Sequence, residues 1–376
     1  MNEDRIADVQ RRAAVNDVIA AFNQRDVEKA RELALDVWGT LFQPAKLDIR
    51  DKDVLDTLVK LMVQLAPQHE SCKQAKTRLV DLRQANDLDR PYHVIYDLGR
   101  YGPQFDVVTL LVQAKTLADA ENRPLTVVFV PTDDGVYVKP GKYSAKEAIF
   151  RLSHICVPAC TLYGAKSIIL DYRNSPMPKG DWLQGLPPTH DGVMNVFERA
   201  GRLSRIRATA KARDLVSGYV NSFDKPVVAI TLRNSFRSKV RNSRVEDWLE
   251  VANRLSTDYQ PVFVPDTEDA FRPPDHAFPA FPIGAVDLDA RLALYELSAM
   301  NFFNHNGPAV LAQYGNAPFI NFGLDNEAYM SAAAWEQLRL PVGSQPPYLL
   351  ARQKLVWEAP DPDRVIAEFA AIMDNT

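Results

Sequence analysis

Residues 292–320 carry the run Leu292-Ala293-Leu294-Tyr295-Glu296-Leu297-Ser298-Ala299-Met300-Asn301-Phe302-Phe303-Asn304-His305-Asn306-Gly307-Pro308-Ala309-Val310-Leu311-Ala312, followed after four residues by Ala317-Pro318-Phe319-Ile320. The pattern to Met300 is helical, Asn301 to Phe303 is a short strand-like run, and a polar turn with Gly307 leads to a new helix with Pro308 in its first turn. Proline suits that position, because its missing N–H would have no partner there. Helix, strand, turn, helix and strand in succession form the repeating unit of a parallel sheet.

The same alternation extends upstream to Pro91. Apolar runs fall at His93 to Leu98, Leu125 to Val130, Ser167 to Leu170, Val227 to Leu232, Pro261 to Val264, Asn301 to Phe303 and Pro318 to Phe322. Helical patterns lie between them at 107–119, 145–156, 193–220, 245–255, 288–300 and 309–314. Unbroken β-branched and aromatic runs between amphipathic helices predict parallel strands covered on both faces. The longest helix, Val193 to about Val220, separates three strands from four. The expected architecture is therefore α/β, with two Rossmann-like halves at 89–192 and 223–376 joined by a helical connector at 193–222.

Residues 1–88 have a different texture. They hold one of the 16 glycines, Gly39, and two of the 26 prolines, Pro44 and Pro67, so the rest of the chain holds nearly all the helix breakers. Apolar residues recur at helical spacing, for example Leu55, Leu58, Val59 and Met62, and predict a small all-helical domain of four or five helices. Asn23 to Ala30 and Leu65 to Pro67 resemble the turns of tetratricopeptide hairpins, although no second copy overlays at a 34-residue period. Such a domain serves as a cap on the main body or as a platform for a protein partner.

Bulk charge excludes a generic nucleic-acid binder, since 44 Lys+Arg face 48 Asp+Glu in 376 residues. Three cysteines, Cys72, Cys156 and Cys160, make neither a disulfide framework nor a zinc pattern, so a metal site is not expected. The opening Met1-Asn2-Glu3-Asp4 lacks the basic start of a secretory signal, and no apolar stretch approaches the ~18 residues of a spanning helix. The expected location is cytoplasmic. Arg199, Arg202, Arg205, Arg207, Lys211 and Arg213 on the connector form either a solvated face or a peripheral contact with the inner membrane surface.

Residues 292–320 resemble the corresponding part of GT-B glycosyltransferases, in particular the heptosyltransferase-like group, glycosyltransferase family 9. The Gly307-Pro308 core, Leu311-Ala312 and Pro318 carry the likeness. His305 and Asn306 stand where that family has acidic and hydroxyl residues, and Val310 where it often has histidine. The resemblance implies transfer of a sugar from a nucleotide diphosphate sugar to a hydroxyl of a glycan, a lipid-linked sugar or a protein, without a divalent metal. Two alternatives share the architecture: a nucleotide-sugar epimerase, and a non-catalytic scaffold with a helical partner-binding domain.

Candidate site residues follow from the strand ends. The turn Asn306-Gly307-Pro308 offers helix-end N–H groups to a diphosphate, with His305 beside it. Arg233, Arg237 and Lys239 belong to a run from Arg233 to Arg244 with five cations and no acid, at the carboxyl end of a strand, where guanidinium and ammonium groups would neutralise a departing diphosphate. Asp266 and Glu268 follow another strand and would bind ribose or sugar hydroxyls, or Asp266 would cap the next segment. In the first half, Asp97 and Asp106 flank a glycine-containing loop and are candidates for the base that deprotonates the acceptor, followed by Asp133 and Asp134. Asp106 also stands where a helix N-cap belongs. Gly99 and Gly102 do not make a dinucleotide fingerprint.

Overall fold

The computed structural model describes residues 3–45, 47, 51–85, 90–132, 143–178, 180–235, 239–270, 276–325, 327–328 and 330–374, the side chains of 3–6, 8, 83–85 and 268 excepted. The expected site residues Arg237, Asp133 and Asp134, and the side chain of Glu268, lie outside the described residues. The chain divides into two compact units, residues 1–91 and 92–376.

The first unit consists of the helices Glu3–Asn23, Val27–Val37, Lys52–Leu65 and Glu70–Ala85, with a π turn at Trp38–Phe42. Asp26 starts the second helix by accepting from Lys29 N at 3.2 Å. The helix Lys52–Leu65 buries Leu55, Leu58 and Met62 against Val18, Ala34, Trp38 and Phe42. The two helix pairs begin at residues 3 and 52, an offset of 49, longer than a tetratricopeptide period.

The second unit contains two parallel sheets. β1 (Tyr92–Asp97), β2 (Leu125–Val130), β3 (Lys166–Ile169) and β4 (Asp181–Trp182) form the first, in the order β3-β2-β1-β4. β5 (Val227–Thr231), β6 (Gln260–Val264), β7 (Met300–Asn304), β8 (Phe319–Phe322) and β9 (Gln353–Leu355) form the second, in the order β6-β5-β7-β8-β9. β2 lies inside its sheet and all six of its residues are buried, as the continuous Leu125-Thr126-Val127-Val128-Phe129-Val130 run demands.

One apolar core runs through both halves, joining Val94, Leu111, Phe129 and Cys160 to Ala229, Leu292, Tyr295 and Phe319. On the far face of the second sheet, Trp248, Phe263, Phe302 and Phe322 pack with Phe369 of the last helix, Pro362–Asp374. Burying each such ring stabilises the fold by about 1.5–3 kcal/mol.

The connector differs from expectation. In place of one helix over 193–220 there are two, His190–Ala200 and Ala210–Val220. Gly201 ends the first in a left-handed conformation at φ 69°, and Thr209 caps the second through Ala212 N at 3.2 Å. Between them the chain crosses to the second half, where Ile206 N donates to the Tyr314 carbonyl at 3.0 Å. Arg205 donates to the carbonyls of Gln313 and Gly315 at 3.1 Å and to that of Tyr348, and Arg213 pairs with Glu296 at 2.6 Å. The expected basic stripe is thus broken and partly consumed inside the protein. Among the described residues no helix is long and apolar enough to cross a membrane.

Candidate functional site

Each sheet has a point where the strand order reverses, between β1 and β4 in the first and between β5 and β7 in the second. Crevices at the carboxyl ends of such strand pairs are where open α/β sheets bind ligands.

In the second sheet the crevice is walled by the loop after β5. Arg233 N donates to Ser243 Oγ and Ser243 N to the Arg233 carbonyl, both at 2.9 Å, which closes the neck of the loop. Asn242 braces its interior by accepting from Ser235 N at 3.0 Å. The end of β7 holds the far side, because Asn304 Nδ2 donates to the carbonyls of Arg241 and Asn242 at 3.3 and 3.4 Å. Arg241 Nη1 in turn reaches the His305 carbonyl at 3.4 Å. Arg233, the turn Lys239–Arg241 and His305 therefore lie close together at the carboxyl ends of β5 and β7.

His305 adopts a left-handed φ of 37°, and its N–H donates to Asn321 Oδ1 at 2.9 Å. Burial, then Arg241 and Arg233, push its imidazole down to about 3. It is neutral over the ordinary pH range, so the cations of this crevice are the arginines and lysine.

The turn after β7 departs from its expected use. The helix Ala309–Gln313 has only five residues. Its first N–H groups are already bonded: Ala309 N to the Asn306 side chain, Val310 N to the Gly307 carbonyl and Leu311 N to the Pro308 carbonyl, at 3.2, 3.3 and 3.0 Å. Asn306 Nδ2 ties the turn to the Thr231 carbonyl at 3.2 Å. A one-turn helix with its N–H groups bonded internally does not present the anion cradle that the sequence pattern predicts. Gly307 is instead a close-approach position, since a Cβ there would lie 2.6 Å from Phe105 Cδ2. That contact brings the loop after β1 against the turn after β7.

Asp266 also has a local duty. Its carboxylate accepts from Thr267 N at 2.7 Å and from Asn234 N at 2.9 Å, so it caps its own turn and anchors the basic loop. Both oxygens are engaged, which favours the capping alternative over sugar binding.

The two first-half acids are held by different partners. Asp97 accepts from Gly99 N and Arg100 N at 2.9 and 3.2 Å and from Arg173 Nη2 and Nη1 at 2.8 and 3.3 Å. Three donors crowd Oδ1 and Arg173 holds Oδ2, so Asp97 is tied to its own loop and to Arg173. Asp106 is half-buried and accepts from Gln104 Nε2 at 2.7 Å. It is the first residue of the helix Asp106–Ala120, whose N-cap is Phe105, so the expected capping position moves by one. Its carboxylate is near enough to Tyr314 of the second half, and to Tyr96 of the first, to help raise the pKa of both hydroxyls.

Sequence reasoning passed over Arg241, Asn304, Phe105 and Arg173. Arg241 was visible in the cation run, whereas the roles of the others depend on partners distant in the chain. Among the described residues no group of acids, histidines or cysteines is arranged to hold a metal.

No family model matches this chain, and no curated protein sequence matches it. Among solved structures, the ADP-heptose lipopolysaccharide heptosyltransferase II of E. coli is 12% identical, with a TM-score of 0.42 over 76% of this chain and 99% of its own. A family 9 glycosyl transferase from Veillonella parvula is 13% identical, with a TM-score of 0.45 over 77% and 99%. A putative UDP-N-acetylglucosamine 2-epimerase from Listeria monocytogenes is 12% identical, with a TM-score of 0.33 over 76% and 88%.

Proposed function

We propose that residues 92–376 transfer a glycosyl group from a nucleotide diphosphate sugar to a hydroxyl group of a glycan, lipid-linked or protein acceptor. The observation that carries this reading is the contact of Phe105 with Gly307, which sets the loop between Asp97 and Asp106 against the turn after β7, beside Arg233, Lys239 and Arg241. The acceptor oxygen attacks the anomeric carbon, the bond from that carbon to the diphosphate oxygen breaks, and the diphosphate leaves with the electron pair. Asp106 takes the acceptor proton. The guanidinium and ammonium groups stabilise the charge that develops on the leaving group, the task a divalent cation performs elsewhere, so the reaction runs in the presence of a chelator. Residues 1–88 serve as a platform for a protein partner.

Thermal shift with UDP, GDP, ADP and CMP, followed by product analysis of the matching nucleotide sugar, tests the reading. Stabilisation by a nucleoside diphosphate and release of that diphosphate only when an acceptor is present are expected. Conversion of the donor to an isomer without acceptor would make the protein an epimerase, and binding without turnover would make it a scaffold. No shift with any nucleotide removes the proposal.

A further inference from the structure

The first sheet has its own reversal point, between β1 and β4, and a pocket of about 470 Å³ lies there. β2 pairs with all six residues of β1, but β4 pairs only with Tyr92 and His93. Backbone groups along a strand face alternate sides. Tyr92 N points to β2, donating to the Pro124 carbonyl, and the His93 carbonyl points to β4, accepting from Leu183 N, both at 2.8 Å. Ile95 and Asp97 share the side of His93, yet the next rung, Ile95 N–H to the Leu183 carbonyl, is absent because the pairing stops at His93. An open strand edge therefore forms one wall of the pocket, and Trp182, Leu183 and Leu186 line the opposite side.

We propose that this edge binds the acceptor as an extended polypeptide, added as a strand between β1 and residues 183–187. This rests on the transferase reading above and names its acceptor class. The Ile95 N–H and carbonyl and the Asp97 N–H match the regular spacing of a peptide backbone, whereas the Asp97 carbonyl starts the helix Leu98–Tyr101, and the half-exposed Ile95 and Trp182 offer room for alternate side chains. Charge selects further. Arg173 neutralises Asp97, while Arg100, exposed over the Tyr101 ring at 5.1 Å, makes no ion pair among the described residues. The partner thus carries an acidic side chain close to its Ser or Thr hydroxyl, at the Asp97 end of β1, where the loop leading to Asp106 begins.

Selection from a random peptide display library with the full chain, followed by fluorescence polarisation of the recovered peptides, tests this. Recovered peptides are expected to bind the parent and to lose about tenfold or more with Ile95→Pro, which deletes an outward N–H without touching the β1–β2 ladder. Arg100→Glu weakens those carrying an acid. Should Ile95→Pro misfold, hydrogen exchange on the parent chain serves, with slowed exchange over 92–98 on peptide addition. Peptides that bind Ile95→Pro undiminished overturn the proposal, as does exchange that the peptide leaves unchanged. So does an oligosaccharide that binds the parent where no peptide does. A concentration-dependent dimer abolished by Ile95→Pro would assign the edge to a second copy instead. These measurements need no nucleotide, so their failure is distinct from failure of the donor site.

Discussion

The Phe105 ring occupies the space that a side chain on Gly307 would need, with Cδ2 2.6 Å from the Cβ position. Gly307→Ala is therefore expected to force the loop after β1 away from the turn after β7. The cost should be about 1–3 kcal/mol, as for other overpacked sites. Thermal denaturation reads this, and Phe105→Leu in the same chain should recover part of the loss. An additive double mutant would mean that the two residues do not share this contact.

Arg241 joins the basic loop to the β7 turn through the His305 carbonyl. Charge-assisted contacts to phosphate contribute about 1.5–3 kcal/mol, so Arg241→Ala should weaken nucleoside diphosphate binding roughly 10- to 100-fold. Titration calorimetry checks it. Unchanged affinity would remove Arg241 from the site.

His305 gives the protein a pH signature. Its imidazole is held at about 3 in the fold, against 6.5 ordinarily, by burial and by Arg241 and Arg233. Between these values the unfolded chain binds a proton that the folded chain refuses, so stability rises with pH. The contribution is fully present above 6.5 and is lost as pH falls toward 3. His305→Gln should flatten the melting temperature against pH over that window; an equal slope in parent and variant counts against it.

Asp106 and Asp97 should respond differently to removal of charge. Asp106→Asn is expected to lower kcat by about 10²- to 10⁴-fold with nucleotide affinity preserved, the range for loss of a general base. Asp97→Asn should mainly lower the melting temperature, because it leaves Arg173 without its bidentate partner. Steady-state kinetics beside thermal melts separates the two.

The strands β1 to β3 and β5 to β8 were legible because each is an apolar run with β-branched or aromatic residues. β4 and β9 were not, since Asp181–Trp182 and Gln353–Leu355 are too short to show a pattern and become strands only by pairing with β1 and β8. The break at 201–209 was hidden by continuing helical periodicity, and Gly201 was its one local sign. At the site, the cation run after β5 was legible as composition. The use of Asn306 was not, because its partner is the Thr231 carbonyl, 75 residues earlier. Polar side chains at strand ends bind either ligand or backbone, and only the folded chain decides between these.

The apolar core that joins Val94 and Leu111 to Leu292 and Phe319 makes residues 92–376 one packed unit. Separating the halves at the 201–209 crossing would expose apolar surface on both and release the carbonyls that Arg205 binds. Domain exchange with other proteins must then replace the whole of 92–376, whereas the helical unit before it has its own core.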